Sequence, residues 1–256
     1  MFLHNPIIDI LYAPFLNALV LLYQYLPGHD FGIAVIVLTI VIRLILYPLM
    51  AQAIRSQKVM ADLQPKIQEI QGRFKNDKEK QAKEMMELYK KEKINPLGGC
   101  LPLLIQMPIL IALFRVFWEG LRPEEMANLY SFVPHPGIID PTFLGIIDLS
   151  KSFMIKINGQ TEYYWPVIIL AILAGLCQFI QAKMITPKTK KVQGSDQMAK
   201  FSGMMQKQMS YFLPFFMVFV LLSLPAAIGL YWLVTSLFSI GQQYLVFARR
   251  PSADSS

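Results

Sequence analysis

The stretch "VLTIVIRLILYP", from Val37 to Pro48, decides which kind of fold the sequence encodes. Apart from Thr39 and Arg43, every residue in it is apolar or proline, which suits a segment that lies in lipid. Arginine keeps its charge in essentially any protein environment. Because a cation inside a membrane helix is costly and usually marks a functional position, Arg43 points to a specific role.

The composition indicates a membrane protein. Of 256 residues, 54% are hydrophobic and 16% are charged, whereas about 25% of the residues in soluble domains are charged. The net charge is +7, and most of the lysines fall in two blocks between apolar runs. Cys100 and Cys177 lie far apart without nearby histidines, so they predict neither a disulfide nor a metal site. No secretory signal with a cleavage site is visible, and we expect the apolar segments to stay in the chain.

Four apolar regions predict five membrane-spanning helices, each of which needs about 20 mostly apolar residues. Residues 211–247 are too long for one span and contain Leu224-Pro225. Proline cannot continue a helical hydrogen-bond ladder, so this region predicts two helices joined by a tight turn. The predicted fold is an all-α polytopic membrane protein with spans at residues 31–50, 96–118, 164–183, 211–224 and 225–247.

The lysines and arginines of the loops predict the orientation of the chain. Residues 51–95 carry 11 basic residues and residues 184–210 carry five, so both loops should face the cytoplasm. Residues 119–163 carry three basic and six acidic residues, which predicts an extracytoplasmic loop. The N-terminus is then outside, and the short tail 248–256 is inside.

The N-terminal segment, residues 1–30, predicts an amphipathic helix on the outer membrane surface. Residues 6–26 are long enough to span, but Asp9, Pro14 and Asn17 interrupt the apolar run. A sixth span is the alternative that these residues leave open.

The first basic loop, residues 51–95, predicts a charged helical hairpin in the cytosol. Leu63, Ile67 and Ile70 recur at helical spacing, and Asp77 is placed to cap a second helix. The lysines suit contact with lipid headgroups, and the hairpin also suits docking of incoming chains or targeting partners. Charge alone leaves both interpretations open.

Arg43 has no acidic partner at its own depth, because none of the five predicted spans contains Asp or Glu in its interior. One interpretation is that its side chain extends toward the cytoplasmic headgroups, since Arg43 lies about 10 Å of helix rise before Met50. The other is a water-filled cavity that opens to the cytoplasm and the lipid and lowers the cost of moving a polar polypeptide tail. Neutral side chains predicted to accompany Arg43 in that cavity are Thr39, Gln106, Gln178, Gln181, Tyr231 and Thr235.

Other functional classes fit less well. Proton-coupled transporters usually rely on carboxylates within the membrane, and many transporters have inverted repeats, into which five spans do not divide. The sequence has no HExxH motif, no GxSxG motif and no paired membrane aspartates, so it predicts no enzyme. A secondary transporter or channel for a small solute and a purely structural assembly factor are the remaining alternatives.

Three phrases of the sequence are similar to the YidC-type membrane protein insertases, which include mitochondrial and chloroplast relatives. They are "GIAVIVLTIVIRLILYPL" (residues 32–49), "INPLGGCLPLLIQMPILIALF" (residues 94–114) and "MSYFLPFFMVFVLLSLPAAIGLYWLVTSLFSIGQQYLV" (residues 209–246). They occur in the family's order, with its charged hairpin between the first two. The resemblance implies a five-helix core around a hydrophilic groove.

The resemblance also implies roles for individual residues. Arg43 matches the family's groove arginine, Thr39 matches a groove-lining position, and Trp232 matches an aromatic position associated with substrate contact. Tyr231 lies beside Trp232, and either Gln178 or Gln181 occupies a polar position of the third span.

The implied activity is the insertion of small membrane proteins, alone or beside the Sec translocon, without a nucleotide, metal or other cofactor. The implied partners are newly made membrane proteins, the lipid bilayer and, through the hairpin, the Sec translocon, the ribosome or targeting factors. No specific nucleic-acid binding is expected, and the expected location is the bacterial plasma membrane. We expect a minimal form without the large outer domain and extra first span of Gram-negative members. The short tail "RRPSADSS" predicts no ribosome contact through the tail.

Overall fold

A computed structural model describes residues 6–92, 101–120, 122–157, 160–185, 212 and 214–248. This part of the chain is mostly helical, in agreement with the predicted class. The predicted loop 184–210, apart from its first two residues, Cys100, and residues 249–256 of the tail lie outside it. The helices are α1 (Pro6–Tyr25), α2 (Phe31–Ile45), α3 (Tyr47–Asp62), α4 (Gln64–Arg73), α5 (Lys78–Lys91), α6 (Leu101–Trp118), α7 (Pro166–Ile185), α8 (residues 214–222) and α9 (Ala226–Ala248).

Helix α9 lies at the centre of the bundle. It packs against α7 over a large interface and also against α2, while α1 packs against α6 and α2. Buried apolar side chains from these helices form one continuous cluster, in which Phe31, Leu113 and Tyr231 are among the most enclosed. The chain turns at residues 223–225 between α8 and α9.

The predicted first span, residues 31–50, is broken. Helix α2 ends at Ile45, and α3 begins at Tyr47 with its axis turned by 69°. Pro48 occupies the first turn of α3, where its missing N–H is tolerated, whereas within a continuous helix it would interrupt the ladder. As a result, Arg43 lies in the last turn of α2, close to the bend, and not within a straight span.

Length and composition identify few spanning helices in the described residues. Only α7 is long and apolar enough by itself, and the bent pair α2–α3 qualifies if it forms one broken span. Helix α6 contributes a shorter apolar stretch, Leu104–Trp118. The residues that precede α6 and α8 are outside the described ranges, and the count of five spans stays a prediction.

The all-α prediction left out four short strands in residues 119–163. Strand β1 (Thr142–Phe143) pairs antiparallel with β2 (Ile147–Asp148), and β3 (Met154–Ile157) pairs antiparallel with β4 (Gln160–Tyr163). The first hairpin turns through Leu144 and Gly145, both with positive φ, a conformation suited to tight hairpins. The strands are short and local, and the helical periodicity of the rest of the chain does not indicate them.

The strand-containing loop is tied to the helices. Asp30 Oδ1 caps α2 by accepting a hydrogen bond from Ile33 N at 2.8 Å, and its Oδ2 accepts one from Leu144 N at 2.5 Å. At Gly32 a Cβ atom would lie 2.2 Å from the ring of Phe143, so a residue without a side chain allows this close approach. The first hairpin is therefore held against the start of α2.

The second hairpin is held at the turn between α8 and α9. Phe153 N donates to Leu222 O at 3.2 Å, and Ala226 N donates to Lys151 O at 2.8 Å. Tyr164, just before α7, accepts a hydrogen bond at its OH from Asp148 N at 2.7 Å. The carboxyl of Asp148 is partly desolvated, but hydrogen bonds from Ser150 and Lys151 outweigh this and lower its pKa.

Helix α1 is docked on the bundle by polar contacts from far along the chain. Asn17 Oδ1 accepts from Tyr130 N at 2.6 Å, and Tyr23 OH accepts from Asp140 N at 3.1 Å. Its apolar face, which includes Leu16 and Val20, is fully buried. A helix covered in this way is a part of the folded core and not a loose extension.

Helices α4 and α5 lie side by side. Lys66 Nζ is 2.8 Å from Glu92 Oε1, and Gln81 Nε2 donates to Gln71 O at 3.3 Å. Asp77 caps α5 by accepting a hydrogen bond from Lys80 N at 3.0 Å. The hydrogen bond and the charge of Lys66 lower the pKa of the Glu92 carboxyl.

Candidate functional site

Arg43 is the starting point of a polar chain that joins three helices. Its side chain comes from the last turn of α2 and is only 7% exposed. Nη2 donates to Gln106 Oε1 on α6 at 2.8 Å, and Gln106 Nε2 donates to Tyr231 OH on α9 at 2.5 Å. The structure thus brings together three of the residues that the sequence singled out.

The partners of Arg43 are neutral. None of the ion pairs formed by the described residues involves Arg43. A side chain reaching along α2 toward the membrane surface would be exposed, whereas Arg43 is buried and hydrogen-bonded across to α6. A buried charge without an anion is unfavourable, so this site would gain from water or from an anionic group of a ligand.

Thr39 and Thr235 lie near the Arg43–Gln106–Tyr231 hydrogen bonds but add little to them. The Thr39 hydroxyl donates to Val35 O, one turn earlier in its own helix, at 2.6 Å. Thr235 is buried in α9 one turn after Tyr231. Both side chains make the surroundings of Arg43 less apolar without adding charge.

A second polar contact joins α7 and α9. Trp232 Nε1 donates to Gln178 Oε1 at 3.3 Å, and Gln181 Nε2 donates to Ser236 O at 3.0 Å. Gln178 therefore meets the Trp232 side chain, while Gln181 binds only the backbone of α9. The sequence left open which of these glutamines fills the polar position of the third span, and both of them contact α9.

An apolar cavity of about 370 Å³ lies on the other side of Trp232, between α6, α8 and α9. Leu110, Phe114, Met217 and Leu221 form much of its wall. Trp232 lines this cavity while its ring nitrogen is bound to Gln178. The polar chain and the apolar cavity are thus adjacent regions that share α6 and α9.

Buried glutamines near the bend between α2 and α3 were not predicted. Gln242 Nε2 donates to Tyr47 O at 2.9 Å, and Gln243 Oε1 is buried without a hydrogen-bond partner among the described residues. The signal was present in the sequence as two adjacent glutamines in an otherwise apolar helix. Together with Arg43, they concentrate polar groups at one end of the bundle.

A second buried arginine, Arg115 on α6, was also missed. It is 9% exposed and pairs with Asp9 on α1 and with Glu119, whose Oε2 lies 2.9 Å from its Nε. The guanidinium lies over the ring of Tyr12, 4.4 Å from its centroid, and Tyr12 OH donates to Glu125 Oε2 at 2.6 Å. The spacing of Arg115 and Glu119, one helical turn apart, was the available signal.

Metal chemistry has no obvious location in the part of the chain that the structure describes. No group of three or more His, Cys, Asp or Glu side chains there is arranged to hold a metal ion. The site consists of one cation, neutral hydrogen-bonding groups and an adjacent apolar wall.

Most of the chain is similar in sequence to known proteins. Residues 21–253 match the family described as 60Kd inner membrane protein. The chain is 40% identical over 219 residues to the membrane protein insertase YidC of Haemophilus influenzae (strain ATCC 51907 / DSM 11121 / KW20 / Rd), covering 85% of this chain and 33% of that protein. The proteins of the same name from Shewanella loihica and Geobacter metallireducens are 37% and 34% identical over 230 residues, covering 90% of this chain and 35% of each. The chain thus spans about a third of the length of these curated relatives.

Proposed function

The chain belongs to the 60Kd inner membrane protein family, and on that premise we propose that it is a membrane protein insertase. It would move hydrophobic segments and short polar tails of client proteins from the cytoplasm into the bilayer. The observation that carries the proposal is the buried Arg43, whose hydrogen-bond partner is the neutral Gln106 and not a carboxylate. Relatives named membrane protein insertase match 85–90% of the chain.

The polar chain suits the passage of an extended polypeptide tail. In hydrocarbon each unsatisfied backbone N–H or C=O group costs several kcal/mol. Arg43 offers donors, and Gln106 and Tyr231 offer both donors and acceptors, within one buried region. The positive charge of Arg43 would favour tails with acidic side chains. No covalent chemistry is required, so no enzymatic step is proposed.

The apolar cavity suits the hydrophobic segment of the same client. Along α6, Gln106 comes before Leu110 and Phe114, so the polar chain lies nearer the first residues of α6 than the cavity does. A client entering from that side would meet hydrogen-bonding groups first and the apolar wall next. Trp232 lines the cavity and donates a hydrogen bond to Gln178, so it would offer the client a polar group at the edge of the apolar wall.

The proposed topology keeps five spans, with α2 and α3 forming a broken first span. Helix α1 then lies at the outer surface, where α6 and α2 pack against it. The α4–α5 hairpin and the second basic loop face the cytoplasm of a bacterium. The hairpin is the proposed contact for the Sec translocon, the ribosome or targeting factors, and newly made membrane proteins are the clients.

The decisive experiment separates the charge of Arg43 from its bulk. Arg43→Ala and Arg43→Lys are reconstituted in lipid vesicles, and insertion is followed by protease protection of two single-span clients with acidic or uncharged outer tails. We expect Arg43→Ala to lose most insertion of the acidic client, Arg43→Lys to retain it, and the uncharged client to be affected less. Arg73→Ala is the matched control, because Arg73 is exposed and paired with Glu69.

Full activity of Arg43→Ala on both clients would remove this charge from the mechanism. Solute uptake by the same vesicles that depends on Arg43 would instead favour a transporter.

A further inference from the structure

The second hairpin, which comes just before the first residue of α7, carries exposed apolar side chains. Met154, Tyr163 and Trp165 are 60%, 55% and 65% exposed. Met154 lies directly across from Tyr163 in the antiparallel register. Because side chains alternate between the two faces of a strand, Met154 and Tyr163 lie on the same face, and Trp165 follows Tyr163 by two residues.

A second exposed stripe runs along α7 from the same point. Its members recur at three- and four-residue spacing after Trp165, so they share one face of the helix. Lys183 continues this face five turns from Trp165 and is also exposed. Their separation of 18 positions corresponds to about 27 Å of helix rise, close to the roughly 30 Å hydrocarbon thickness of a bilayer. The exposed members are Ile169, Ile172, Leu176 and Ile180.

We propose that Met154, Tyr163 and Trp165 form a lipid-binding face that sits in the bilayer interface and contacts phospholipid. Continuity with the exposed stripe of α7 argues for lipid as the occupant, because α7 is the helix that qualifies as a span by itself. Tyrosine and tryptophan are enriched at membrane–water interfaces, where an apolar ring body and a polar tip both find partners. The inference rests on the proposed function only in requiring that α7 spans the membrane.

Charge at the tip of the hairpin supports a phospholipid partner. Lys156 lies two residues after Met154, so its side chain is on the same face, and it pairs across the hairpin with Thr161. A lysine beyond an aromatic cluster is placed to meet the phosphate groups while the rings stay deeper. The opposite face presents the exposed acidic residue Glu162, which would be repelled by phosphate.

The hairpin is fixed firmly enough to act as an anchor. Tyr164 N donates to Phe153 O at 2.8 Å, and the Phe153 ring lies 5.1 Å from that of Tyr163 and 6.2 Å from that of Trp165. The backbone of Phe153 is bonded to Leu222 at the end of α8. Binding of lipid by this face would therefore set the depth of α7 and of the turn between α8 and α9 together.

Spin labels on the two faces of the hairpin test the inference. The full chain with Cys100→Ala and Cys177→Ala is labelled singly at position 154, 162 or 172 and reconstituted in phospholipid vesicles. Relaxation by oxygen, which enters lipid, is compared with relaxation by a water-soluble nickel chelate. We expect positions 154 and 172 to be relaxed mainly by oxygen and position 162 mainly by nickel, at least severalfold apart.

Tryptophan quenching supplies a measurement that leaves the hairpin unchanged. With Trp118→Phe and Trp232→Phe, only Trp165 remains, and its emission is compared in vesicles with lipids brominated near the headgroup and in the presence of aqueous iodide. We expect the brominated lipids to quench strongly and iodide weakly.

The possible outcomes are distinct. Equal nickel access at positions 154 and 162, or strong iodide quenching of Trp165, would overturn the inference while oxygen access at 172 kept α7 in the membrane. Nickel access at 172 as well would overturn the spanning assignment in the proposed function. Spin–spin broadening at 154 without oxygen access would overturn lipid as the occupant and assign the face to a second copy of the chain.

Discussion

Arg43 and Arg115 are both buried on helices of the bundle, but their surroundings are opposite. Arg115 is enclosed by Asp9, Glu119 and the ring of Tyr12, whereas Arg43 meets the neutral amide of Gln106. A cation that already has two carboxylates is satisfied by the fold. A cation that has none keeps its capacity to bind an anion, so the comparison distinguishes a structural charge from one that is available for function.

The positions of the two arginines fit this division. Arg115 joins α6 to α1 at the end of α6 near Glu119, where the strand-containing loop begins. Arg43 lies at the other end of the bundle, near the bend and the buried glutamines. One arginine closes the bundle with an ion pair to α1, and the other lies among neutral polar groups near the bend between α2 and α3.

The largest expected effect on stability comes from Arg115→Met. This change keeps an apolar stem but leaves Asp9 and Glu119 without their cation, and breaking a buried ion pair typically costs about 3–5 kcal/mol. Because Asp9 is 47% exposed, water partly compensates for the lost cation, and we expect the free energy of unfolding to fall by about 2–3 kcal/mol. Detergent-solubilised protein should lose its folded state at a lower temperature, and exposed Arg122→Met is the control. An unchanged transition would show that the pair does not hold α1 in place.

Tyr231→Phe should cost less. The phenol oxygen accepts the hydrogen bond from Gln106 Nε2, and without it this buried donor has no partner. Leaving a buried donor unpaired costs about 1–3 kcal/mol, and we expect the lower end of this range because Gln106 is only half-buried. The same thermal measurement applies, with the exposed Tyr244→Phe on α9 as the control. If Tyr231→Phe lost as much stability as Arg115→Met, the hydrogen bonds among Arg43, Gln106 and Tyr231 would serve mainly stability, contrary to their proposed functional role.

Arg43→Met should change stability less still, by under about 1 kcal/mol. The hydrogen bond to Gln106 is lost, but the unfavourable burial of a charge without an anion is lost as well. Thermal unfolding and client insertion measured on the same preparation should therefore separate, with nearly normal unfolding and defective insertion. A fall in stability equal to that of Arg115→Met would end the distinction between the two arginines.

The exposed pair Lys66–Glu92 gives the smallest effect and shows what an ion pair contributes in water. The lowered pKa of Glu92 means that the pair is present above the ordinary glutamate pKa and is lost as the pH falls through the lowered value. Spin labels at positions 68 and 87 of the full chain report the distance between α4 and α5. We expect the distance distribution to broaden only at low pH, and Glu92→Gln to be broadened slightly at every pH. A broadening of the wild type near neutral pH would contradict this assignment.

The parts of the site that local patterns specify were predictable. Arg43, Gln106 and Tyr231 each interrupt an apolar helix, and an interruption of that kind is visible in one segment alone. The choice between Gln178 and Gln181 was not, because it depends on which side of α7 meets Trp232. The bend before Pro48 could have been predicted, since proline in that position disfavours a continuous helix.

Local sequence patterns could not predict the strands or the contacts of Arg115 with Asp9, Glu119 and Tyr12. Asp9 and Arg115 are 106 residues apart in the sequence, so neither segment reveals the pair. Within α6, Arg115 looks like the polar end of a span. The strands have two to four residues, too few for a period-two pattern to stand out, and contacts with α2 and with the turn between α8 and α9 hold them in place.

The docking of α1 has a consequence for how the protein is made. Its polar contacts with Arg115, Glu125, Tyr130 and Asp140 each join residues more than 100 positions apart in the sequence. At typical rates of synthesis, roughly 5–20 residues per second, the first helix waits several seconds after leaving the ribosome before its binding surface exists. During that interval its apolar face must be sheltered by the membrane or by another protein, so the nascent chain itself has the properties of a client.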